Sequence, residues 1–294
     1  MKIVIAYGGL GNQMFQYALV CAYRQRGVKA CLFVSSTNLE HHGYEVEKIF
    51  PAASQWRTLN CVQRNYYRCL QWLRNCGNKR HHLPNALLFF PFGRVDFFQD
   101  AIAFHPEVFQ RLEQSNFYVG QFQSYKFFEQ CADQVRREYT FDTALLSEQT
   151  RQAAVQMASC NSVSLHVRRG DYMNGFYYQM LGSVCNMDYY RRAMDEMQRR
   201  QGSVRFFIFS DDMDYVRENL PVDRAVCVDW NTGTDSWQDM YLMSQCRHNI
   251  IANSTFSWWG AWLNANPDKT VIAPKPWFAG VTEDDIVPEQ WVRL

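Results

Sequence analysis

The chain has 294 residues, of which 47% are hydrophobic and 20% are charged, and its formal net charge is +1. This length is enough for one large domain or two medium ones with cores of their own. A nearly neutral chain without a basic run or tail is not typical of a nucleic-acid-binding protein, so we expect no nucleic-acid partner.

The apolar runs are too short for a membrane span, and the cysteines show no metal-binding pattern. The N-terminal run MKIVIAYGG is shorter than the apolar core of a signal peptide, and no stretch reaches the length of a transmembrane helix. The ten cysteines include no C-x-x-C pair, which favours buried thiols in a reducing compartment over a disulfide framework. We expect a cytoplasmic bacterial protein, or one peripheral to the inner membrane, without stable membrane insertion.

The chain opens with the pattern of a β-α-β unit. Residues 2–7 (KIVIAY) form a short β-branched run ended by glycine, which predicts a buried strand. A glycine-rich turn, Gly8 to Gly11, precedes a helix with Asn12 at its N-cap that continues to Arg26. A second strand is predicted at 29–34, and this succession of elements indicates a parallel sheet.

The turn after the first strand does not match the common nucleotide motifs. Gly9-x-Gly11 indicates a close approach of the backbone to a ligand. A dinucleotide fingerprint, however, needs Gly or Ala at the position of Met14 and an acidic residue after the second strand, and neither is present. The turn also lacks the Gly-Lys-Ser/Thr of a P-loop, so NAD, FAD and P-loop nucleotides are not expected here.

The middle of the chain is less regular. Residues 55–100 combine basic and aromatic residues and predict a helical excursion with a loop or short strands. A solvated helix face is favoured over an RNA-binding face because the whole chain is nearly neutral. A strand at 117–123 and a helix at 125–139 are predicted next, and the polar segment 145–160 indicates a domain boundary.

The second half predicts a regular alternation of strands and helices, which is typical of an α/β fold. Strands are predicted at 162–167, 204–209, 224–229, 248–252 and 270–273. Helices are predicted at 187–200, between an Asn186 cap and Gly202, at 235–246 and after residue 253. Two α/β domains follow from this pattern, residues 1–150 and 151–294.

Polar clusters follow the predicted strands. They occupy residues 8–13, 166–171, 210–212 and 253–257. In open α/β sheets, ligands bind at the carboxyl ends of parallel strands, so these clusters predict where the site lies.

Two adjacent arginines, Arg168 and Arg169, follow the strand at 162–167. A guanidinium is costly to bury without an anion, and a diphosphate matches its fork of N–H donors. The alternative is a structural ion pair with Asp171. His166, beside Arg168, is either a packed strand residue or a ligand contact.

Two further segments supply polar side chains: Ser210-Asp211-Asp212 and Asn253-Ser254-Thr255-Phe256-Ser257. Hydroxyls and backbone N–H groups at a helix N-terminus bind anions, although simple N-capping by Asn253 or Ser254 is the alternative. A carboxylate of the first segment would accept hydrogen bonds from guanine or ribose, hold Mg²⁺ or cap the next helix. The segment is not D-x-D, the chain has no H-E-x-x-H or G-x-S-x-G motif, and no metal is expected.

Taken together, these segments resemble a known family. The motifs GGLGNQMFQYA, YVGQFQSYKFF, HVRRGDY, SDD and NSTFSWWGAWL are similar to those of the bacterial α-1,2-fucosyltransferases of glycosyltransferase family 11, relatives of the blood-group H enzymes. They run in the expected order from residue 8 to residue 263. The three tryptophans of the last motif are expected to be packing residues, with a sugar platform as the alternative.

The resemblance implies a fold, an activity and a set of site residues. The fold would be α/β, with two Rossmann-like domains facing a cleft (the glycosyltransferase B fold). The C-terminal half would hold GDP-fucose and the N-terminal half an oligosaccharide acceptor with a terminal galactose. The reaction would be inverting and would need neither a metal nor another cofactor.

Residue roles are also implied by the resemblance. Arg168 would contact the β-phosphate with support from Arg169, and Asp171 would be a candidate general base or would orient Arg168. His166 and either Asp211 or Asp212 would contact guanosine, and Ser210 would also belong to the donor-binding residues. Ser254 and Thr255 would hold the diphosphate together with their neighbours Asn253, Phe256 and Ser257. From the first domain, Gly11, Asn12 and Gln13 would reach across the cleft.

Two alternatives remain beside this interpretation. One is a fucosyltransferase with a different acceptor, such as a protein hydroxyl or a chitooligosaccharide. The other is a non-catalytic protein that binds a GDP-sugar or a glycan. A complete set of phosphate-facing residues disfavours the second alternative.

Overall fold

The chain divides into two compact units, Met1–Thr140 and Phe141–Leu294. The structure is a computed structural model that describes residues 1–39, 42–53, 56–57, 65, 94–97, 102–110, 112, 116–221, 225–282 and 284–294. The division lies ahead of the boundary predicted after residue 150. Helix Glu148–Ala158 belongs to the second unit because its Ala153 and Met157 pack against Leu242 and Met243.

The first unit contains a parallel sheet. Its strands are β1 (Lys2–Gly8), β2 (Ala30–Leu39), β3 (Trp56–Arg57), β4 (Arg94–Phe97) and β5 (Asn116–Val119). Among the described residues the strand order is β3-β2-β1-β5-β4, and every pairing is parallel. β2 and β3 thus lie on one side of β1, and β5 and β4 lie on the other side.

The first helix starts earlier than predicted. It spans Leu10–Gln25, and Gly9, not Asn12, occupies the N-cap position. Gly8 has φ +76°, a left-handed conformation that lets the chain turn sharply from β1 into the helix. The backbone N–H of Asn12 donates to Gly9 O at 3.0 Å, so Asn12 already lies within the first turn. The prediction of Asn12 as the N-cap was wrong.

The other elements of the first unit are short. They are the α-helices Val46–Ile49 and Ala132–Glu138 and the 3₁₀ turns Pro51–Ala53, Pro106–Phe109, Tyr125–Phe127 and Glu129–Cys131. The helix predicted at 125–139 is thus broken into three pieces. The strand predicted at 117–123 ends at Val119, because Phe122 takes a left-handed conformation with φ 53°. Apart from β3, β4 and Asn65, the prediction for 55–100 lies outside the described residues.

The second unit contains a second parallel sheet. Its strands are β6 (Ser162–Val167), β7 (Arg205–Ser210), β8 (Val226–Val228), β9 (His248–Ile250), β10 (Val271–Ala273) and β11 (Val292–Arg293). Among the described residues the order is β11-β10-β9-β6-β7-β8. This is the order of a doubly wound Rossmann sheet, in which the chain starts at the centre and winds outward in both directions. The predicted α/β class with two Rossmann-like halves is confirmed.

Helices cover the second sheet. They are Glu148–Ala158, Met187–Gln201, Met213–Asn219, Trp237–Gln245 and Thr255–Leu263, together with the short turns Gly175–Tyr177 and Tyr178–Gly182 near the end of β6. The helix predicted at 187–200 is confirmed with its cap, since Asn186 Oδ1 accepts a hydrogen bond from the Tyr189 N–H at 3.0 Å. Tyr190, Met194 and Met197 of this helix lie in the core beneath β6 and β7.

Buried aromatic residues complete the core of the second unit. Trp258 and Trp259 are fully buried, and Trp258 Nε1 donates to Ile286 O at 2.8 Å. The expectation that these tryptophans pack inside the protein is confirmed. The buried cysteines Cys21, Cys131, Cys185 and Cys246 form no disulfide. Of the helices described here, none combines the length and apolar character that crossing a membrane requires.

Candidate functional site

The polar clusters of the second unit meet at the point where its sheet reverses direction. β6 and β9 are neighbours at the centre of the sheet and lead into helices on opposite sides. Arg168 directly follows β6, and Asn253 and Ser254 come shortly after β9. The carboxyl ends of these two strands therefore bring together groups that are far apart in the sequence.

Arg168 is held between two carboxylates. Its Nη2 lies 2.6 Å from Asp171 Oδ1, and its Nη1 lies 2.8 Å from Asp211 Oδ2. Its guanidinium carbon is 5.3 Å from the centroid of the Tyr172 ring. These contacts use only part of the N–H donors of the guanidinium, so the charge is oriented and still able to bind an anion. The alternative of an ion pair with Asp171 is realised, and the second partner, Asp211, was not predicted.

Arg169 points toward the neighbouring strand β7. Its backbone N–H donates to Asp211 Oδ1 at 2.8 Å, and its Nε donates to Asp212 Oδ2 at 2.9 Å. Its guanidinium stacks on the Tyr215 ring, with the carbon 3.3 Å from the centroid. Arg169 thus fixes the loop that carries Arg168.

The Ser210-Asp211-Asp212 segment organises the same loop. Asp212 caps helix Met213–Asn219 by accepting a hydrogen bond from the Tyr215 N–H at 3.2 Å, so the capping alternative is confirmed. The hydrogen bond from Arg169 holds the pKa of Asp212 below its usual value. Ser210 Oγ accepts from the Asp212 N–H at 3.0 Å and closes the turn.

Gly170 is required by the packing of this loop. Its φ is +21°, and a Cβ atom placed on it would lie 2.4 Å from Asp211 Oδ2. Any side chain would therefore displace the carboxylate that holds Arg168. The glycine of the R-G-D sequence allows the close approach between the loops after β6 and β7.

His166 lies at the end of β6 with an unsatisfied nitrogen. It is only 6% exposed, and its Nδ1 has no hydrogen-bond partner among the described residues. Burial, and next the charge of Arg168, lower its pKa to about 3, so the imidazole is neutral at physiological pH. Buried polar atoms are nearly always hydrogen-bonded, and a bound ligand would supply the missing partner.

Asn253 joins three segments below the N-terminus of helix Thr255–Leu263. Its Nδ2 donates to Leu181 O and Trp277 O, both at 3.1 Å, whereas its buried Oδ1 has no partner among the described residues. Ser254 occupies the N-cap position, but its side chain makes no capping hydrogen bond. Simple capping therefore does not account for these two side chains, and the positive end of the helix dipole faces the site.

The remaining predicted residues of this segment differ in exposure. Thr255 and Phe256 are half-buried, and the Phe256 ring centroid lies 6.0 Å from that of His166. Ser257 is fully buried and donates to Ser254 O at 3.3 Å, which places it inside the first turn of the helix.

The three predicted residues of the first unit form a group of their own after β1. Gln13 is fully buried: its Nε2 donates to Gly8 O and Gly43 O, and its Oε1 accepts from the Glu45 N–H. Gln13 thus ties backbone segments together. Gly11 is buried beside it in the same helical turn.

The environment of Asn12 includes a residue that the sequence analysis did not single out. Gln123 Nε2 donates to Asn12 Oδ1 at 2.7 Å, and Gln123 is 4% exposed. This pair joins the segments that follow β1 and β5, which are neighbouring parallel strands of the first sheet. Phe122, next to Gln123, has the left-handed conformation that often marks functional sites. The motif YVGQFQSYKFF, which contains Gln123, was the sequence signal that could have identified this residue.

A family model and several curated relatives match this chain. The family described as "Glycosyl transferase family 11" matches residues 102–294. The chain is 30% identical to an alpha-1,2-colitosyltransferase of Escherichia coli over 100% of this chain and 99% of the other. It is 28% identical to the O-antigen biosynthesis glycosyltransferase WbnK of Escherichia coli over 98% of each chain.

An animal enzyme and a solved structure also match this chain. The galactoside alpha-(1,2)-fucosyltransferase 1 of Saimiri boliviensis boliviensis is 31% identical over 51% of this chain and 43% of its own length. The crystal structure of fucosyltransferase NodZ from Bradyrhizobium has a TM-score of 0.48 at 15% identity, with 88% of this chain and 91% of that one covered. From the family match and the full-length relatives, this chain belongs to glycosyl transferase family 11.

Proposed function

We propose that this chain is an inverting glycosyltransferase that moves L-fucose from GDP-β-L-fucose to O2 of a terminal β-galactose on an oligosaccharide. The observation that carries the proposal is Arg168, which two carboxylates orient at the switch point of a Rossmann sheet. The neighbouring strand β9 leads into helix Thr255–Leu263, whose N-terminus has no side-chain cap. An oriented guanidinium and a helix N-terminus are both suited to binding a diphosphate, and the chain belongs to a glycosyltransferase family.

The chemistry of the donor explains why an arginine is needed there. When the bond between the sugar and the diphosphate breaks, its electron pair goes to the β-phosphate oxygen, and negative charge increases there. A cation placed at that oxygen stabilises the transition state more than the ground state, which lowers the barrier. Arg168 supplies this charge in our proposal, so that turnover needs no metal ion.

The acceptor hydroxyl attacks the anomeric carbon on the face opposite to the diphosphate. The carbon passes through an oxocarbenium-like state, as in glycoside hydrolysis, and the β-linkage of the donor becomes an α-linkage. The proton of the attacking hydroxyl must go to a base. We assign this role to Asp171, which is 48% exposed, while its Oδ1 also orients Arg168.

The surrounding residues have roles suited to guanosine and to the acceptor. His166 would satisfy its Nδ1 by a hydrogen bond to a polar group of the nucleoside, and Asp212 would accept a hydrogen bond from the base while it stays bound to Arg169. The segment Asn253 to Ser257 would bind the diphosphate. In the first unit, the Asn12–Gln123 pair would bind a hydroxyl of the acceptor.

A second donor is supported by a specific observation. The relative that is 30% identical over the whole chain is named as an alpha-1,2-colitosyltransferase. Colitose is fucose without its 3-hydroxyl group, so GDP-fucose and GDP-colitose would react in the same way and give the same α-1,2 linkage in the product. Relative kcat/KM values with GDP-fucose and GDP-colitose would decide between them. Because both donors are nucleotide sugars, we place the reaction in the bacterial cytoplasm.

The decisive experiment is GDP release from GDP-fucose in the presence of EDTA, with and without lactose. Stimulation by lactose, with an α-1,2 linkage in the product by NMR, is the expected result. If GDP is bound but lactose gives no stimulation, the donor assignment stands and the galactoside acceptor is wrong. If release occurs only after Mg²⁺ is added, the role of Arg168 as the sole charge at the leaving group is wrong. Failure to bind GDP would overturn the whole proposal.

A further inference from the structure

The segment that follows the candidate arginine exposes a group of aromatic side chains. Phe176 is 72% exposed, Tyr177 50% and Tyr178 46%. The rings of Phe176 and Tyr177 pack edge to face, with centroids 6.3 Å apart. We call residues 173–182 the aromatic loop. Neighbouring large aromatic groups that stay exposed are uncommon on a protein surface and mark interaction sites.

The aromatic loop is folded, although its side chains are exposed. It contains the helical turn Gly175–Tyr177 and the π-helical turn Tyr178–Gly182. The Tyr178 N–H donates to Asn174 O at 3.3 Å, and the Ser183 N–H donates to Tyr178 O at 2.9 Å. Single π-helical turns are frequent at functional sites. Because the backbone is already ordered, binding a ligand on these rings would cost less conformational entropy.

Both ends of the aromatic loop are attached to the candidate site. The Tyr172 hydroxyl donates to Asn253 O at 3.2 Å, and Asn253 Nδ2 donates to Leu181 O at 3.1 Å. A Cβ atom on Gly182 would lie 2.3 Å from Tyr172 O, so the two ends of the loop touch. The Tyr172 ring also faces the guanidinium of Arg168. The aromatic loop is therefore held beside Arg168 and Asn253.

The composition of the aromatic loop selects the class of its ligand. Residues 173–182 (MNGFYYQMLG) contain no charged residue but offer aromatic faces, tyrosine hydroxyls, and asparagine and glutamine amides. A diphosphate or an anionic lipid headgroup would need cationic side chains here. The apolar face of a neutral sugar ring stacks on an aromatic ring, and its hydroxyls match the tyrosine and amide groups.

We propose that the aromatic loop binds the acceptor sugar, with Phe176 and Tyr177 stacking on a neutral pyranose of the acceptor while its hydroxyl is presented to the donor. This inference rests on the proposed function, because an acceptor is defined by the transfer reaction. It assigns part of the acceptor recognition to the second unit, next to the residues that bind the donor.

The test compares a Phe176→Ala/Tyr177→Ala double variant with a matched control. Val155→Ala is the control, since Val155 is 71% exposed on helix Glu148–Ala158. We expect the double variant to raise the KM for lactose by about five- to tenfold, the size of an aromatic stacking contribution. The KM for GDP-fucose, its hydrolysis without acceptor and the Tm should match the wild type, and Phe176→Trp should retain a low KM for lactose.

A binding measurement separates this inference from the proposed function. Saturation-transfer NMR with lactose, in the presence of GDP, reports acceptor binding without any turnover. Loss of the lactose signal in the double variant supports the aromatic loop even if GDP-fucose is not the donor. Equal signals in the double variant and the wild type, or no signal from the wild type, would overturn it. Binding to phosphatidylglycerol vesicles that depends on Phe176, with the KM for lactose unchanged, would show a membrane contact and overturn it as well.

Discussion

Replacing Arg168 with alanine tests the central element of the site. The Arg168 side chain is 23% exposed and is held by carboxylates at 2.6 and 2.8 Å, so its charge has a defined position before the donor binds. We expect Arg168→Ala to lower kcat much more than it raises the KM for GDP-fucose. The reason is that charge on the β-phosphate increases as the glycosidic bond breaks.

The size of the effect follows from electrostatics. Two unit charges about 4 Å apart interact by about 4 kcal/mol at the effective dielectric constant of a protein surface. If roughly half a unit of charge develops on the leaving oxygen, the transition state loses about 2 kcal/mol in the variant. Loss of one oriented donor to a developing oxyanion costs about 3–4 kcal/mol in other enzymes, so kcat should fall by about 10²- to 10³-fold.

The assay is initial-rate GDP release at saturating GDP-fucose and lactose. Arg168→Lys should have intermediate activity, because lysine keeps the charge without the bidentate geometry of the guanidinium. Arg191→Ala, which removes an exposed arginine paired with Asp188 on helix Met187–Gln201, should retain the wild-type rate. Thermal unfolding must show that each variant is folded. If Arg168→Ala loses less than about tenfold in kcat while remaining folded, the assigned role is wrong.

Three further changes test the structure around this arginine. Gly170→Ala should lower the free energy of unfolding by about 1–3 kcal/mol and also lower kcat, because the new Cβ would lie 2.4 Å from the carboxylate of Asp211. Urea unfolding and the rate of GDP release measure these two effects, and unchanged values of both would contradict the prediction. The pKa of His166 is lowered to about 3, chiefly by burial and next by Arg168. As the pH falls, this histidine is therefore protonated near pH 6.5 in the unfolded chain but only near pH 3 in the folded chain. The unfolding free energy should therefore fall as the pH drops from 6.5 toward 3, by at most about 1.4 kcal/mol per pH unit, and this part of the slope should be missing in His166→Asn. Trp258→Ala should lower the free energy of unfolding, measured with urea, by about 3–5 kcal/mol, because it leaves a cavity at a fully buried position and removes the hydrogen bond to Ile286 O. Trp258→Phe should lower the free energy of unfolding by less.

Much of the second unit can be predicted from local sequence alone. β6 follows from a run that alternates polar and apolar residues, and the helix after Asn186 follows from a cap and an amphipathic face. These signals act over a few residues. The same reasoning fails at Asn12, a good N-cap residue that lies inside the helix. There, Gly8 and Gly9 form the turn and start the helix earlier. The capping preference of a single residue is overridden where the chain must turn into the helix directly from a buried strand.

The partners of the site residues were harder to predict because they depend on strand register. Asp171 lies three residues from Arg168 and was an evident partner, whereas Asp211 directly follows the neighbouring strand β7. Val167 is aligned with Ser210 in the parallel pairing of β6 and β7, which places the residues that follow them side by side. This alignment is a property of the assembled sheet, and so the second carboxylate on Arg168 was not predicted.

The arrangement also explains why one loop carries so many charged groups. Arg168 and Arg169 bring two positive charges to the end of β6, and Asp171, Asp211 and Asp212 bring three negative ones. In the proposed donor complex, a diphosphate would add further negative charge and would share Arg168 with the carboxylates that hold it. Arg169, bound to Asp212 and stacked on Tyr215, would hold the loop while the contacts of Arg168 change. The carboxylates would then keep the guanidinium in place when the donor is absent, and the diphosphate would compete for it when the donor binds. Asp211→Asn should accordingly tighten GDP binding while it lowers kcat, because it removes a competing charge together with an orienting contact, and calorimetry with GDP beside the rate assay would distinguish these two effects.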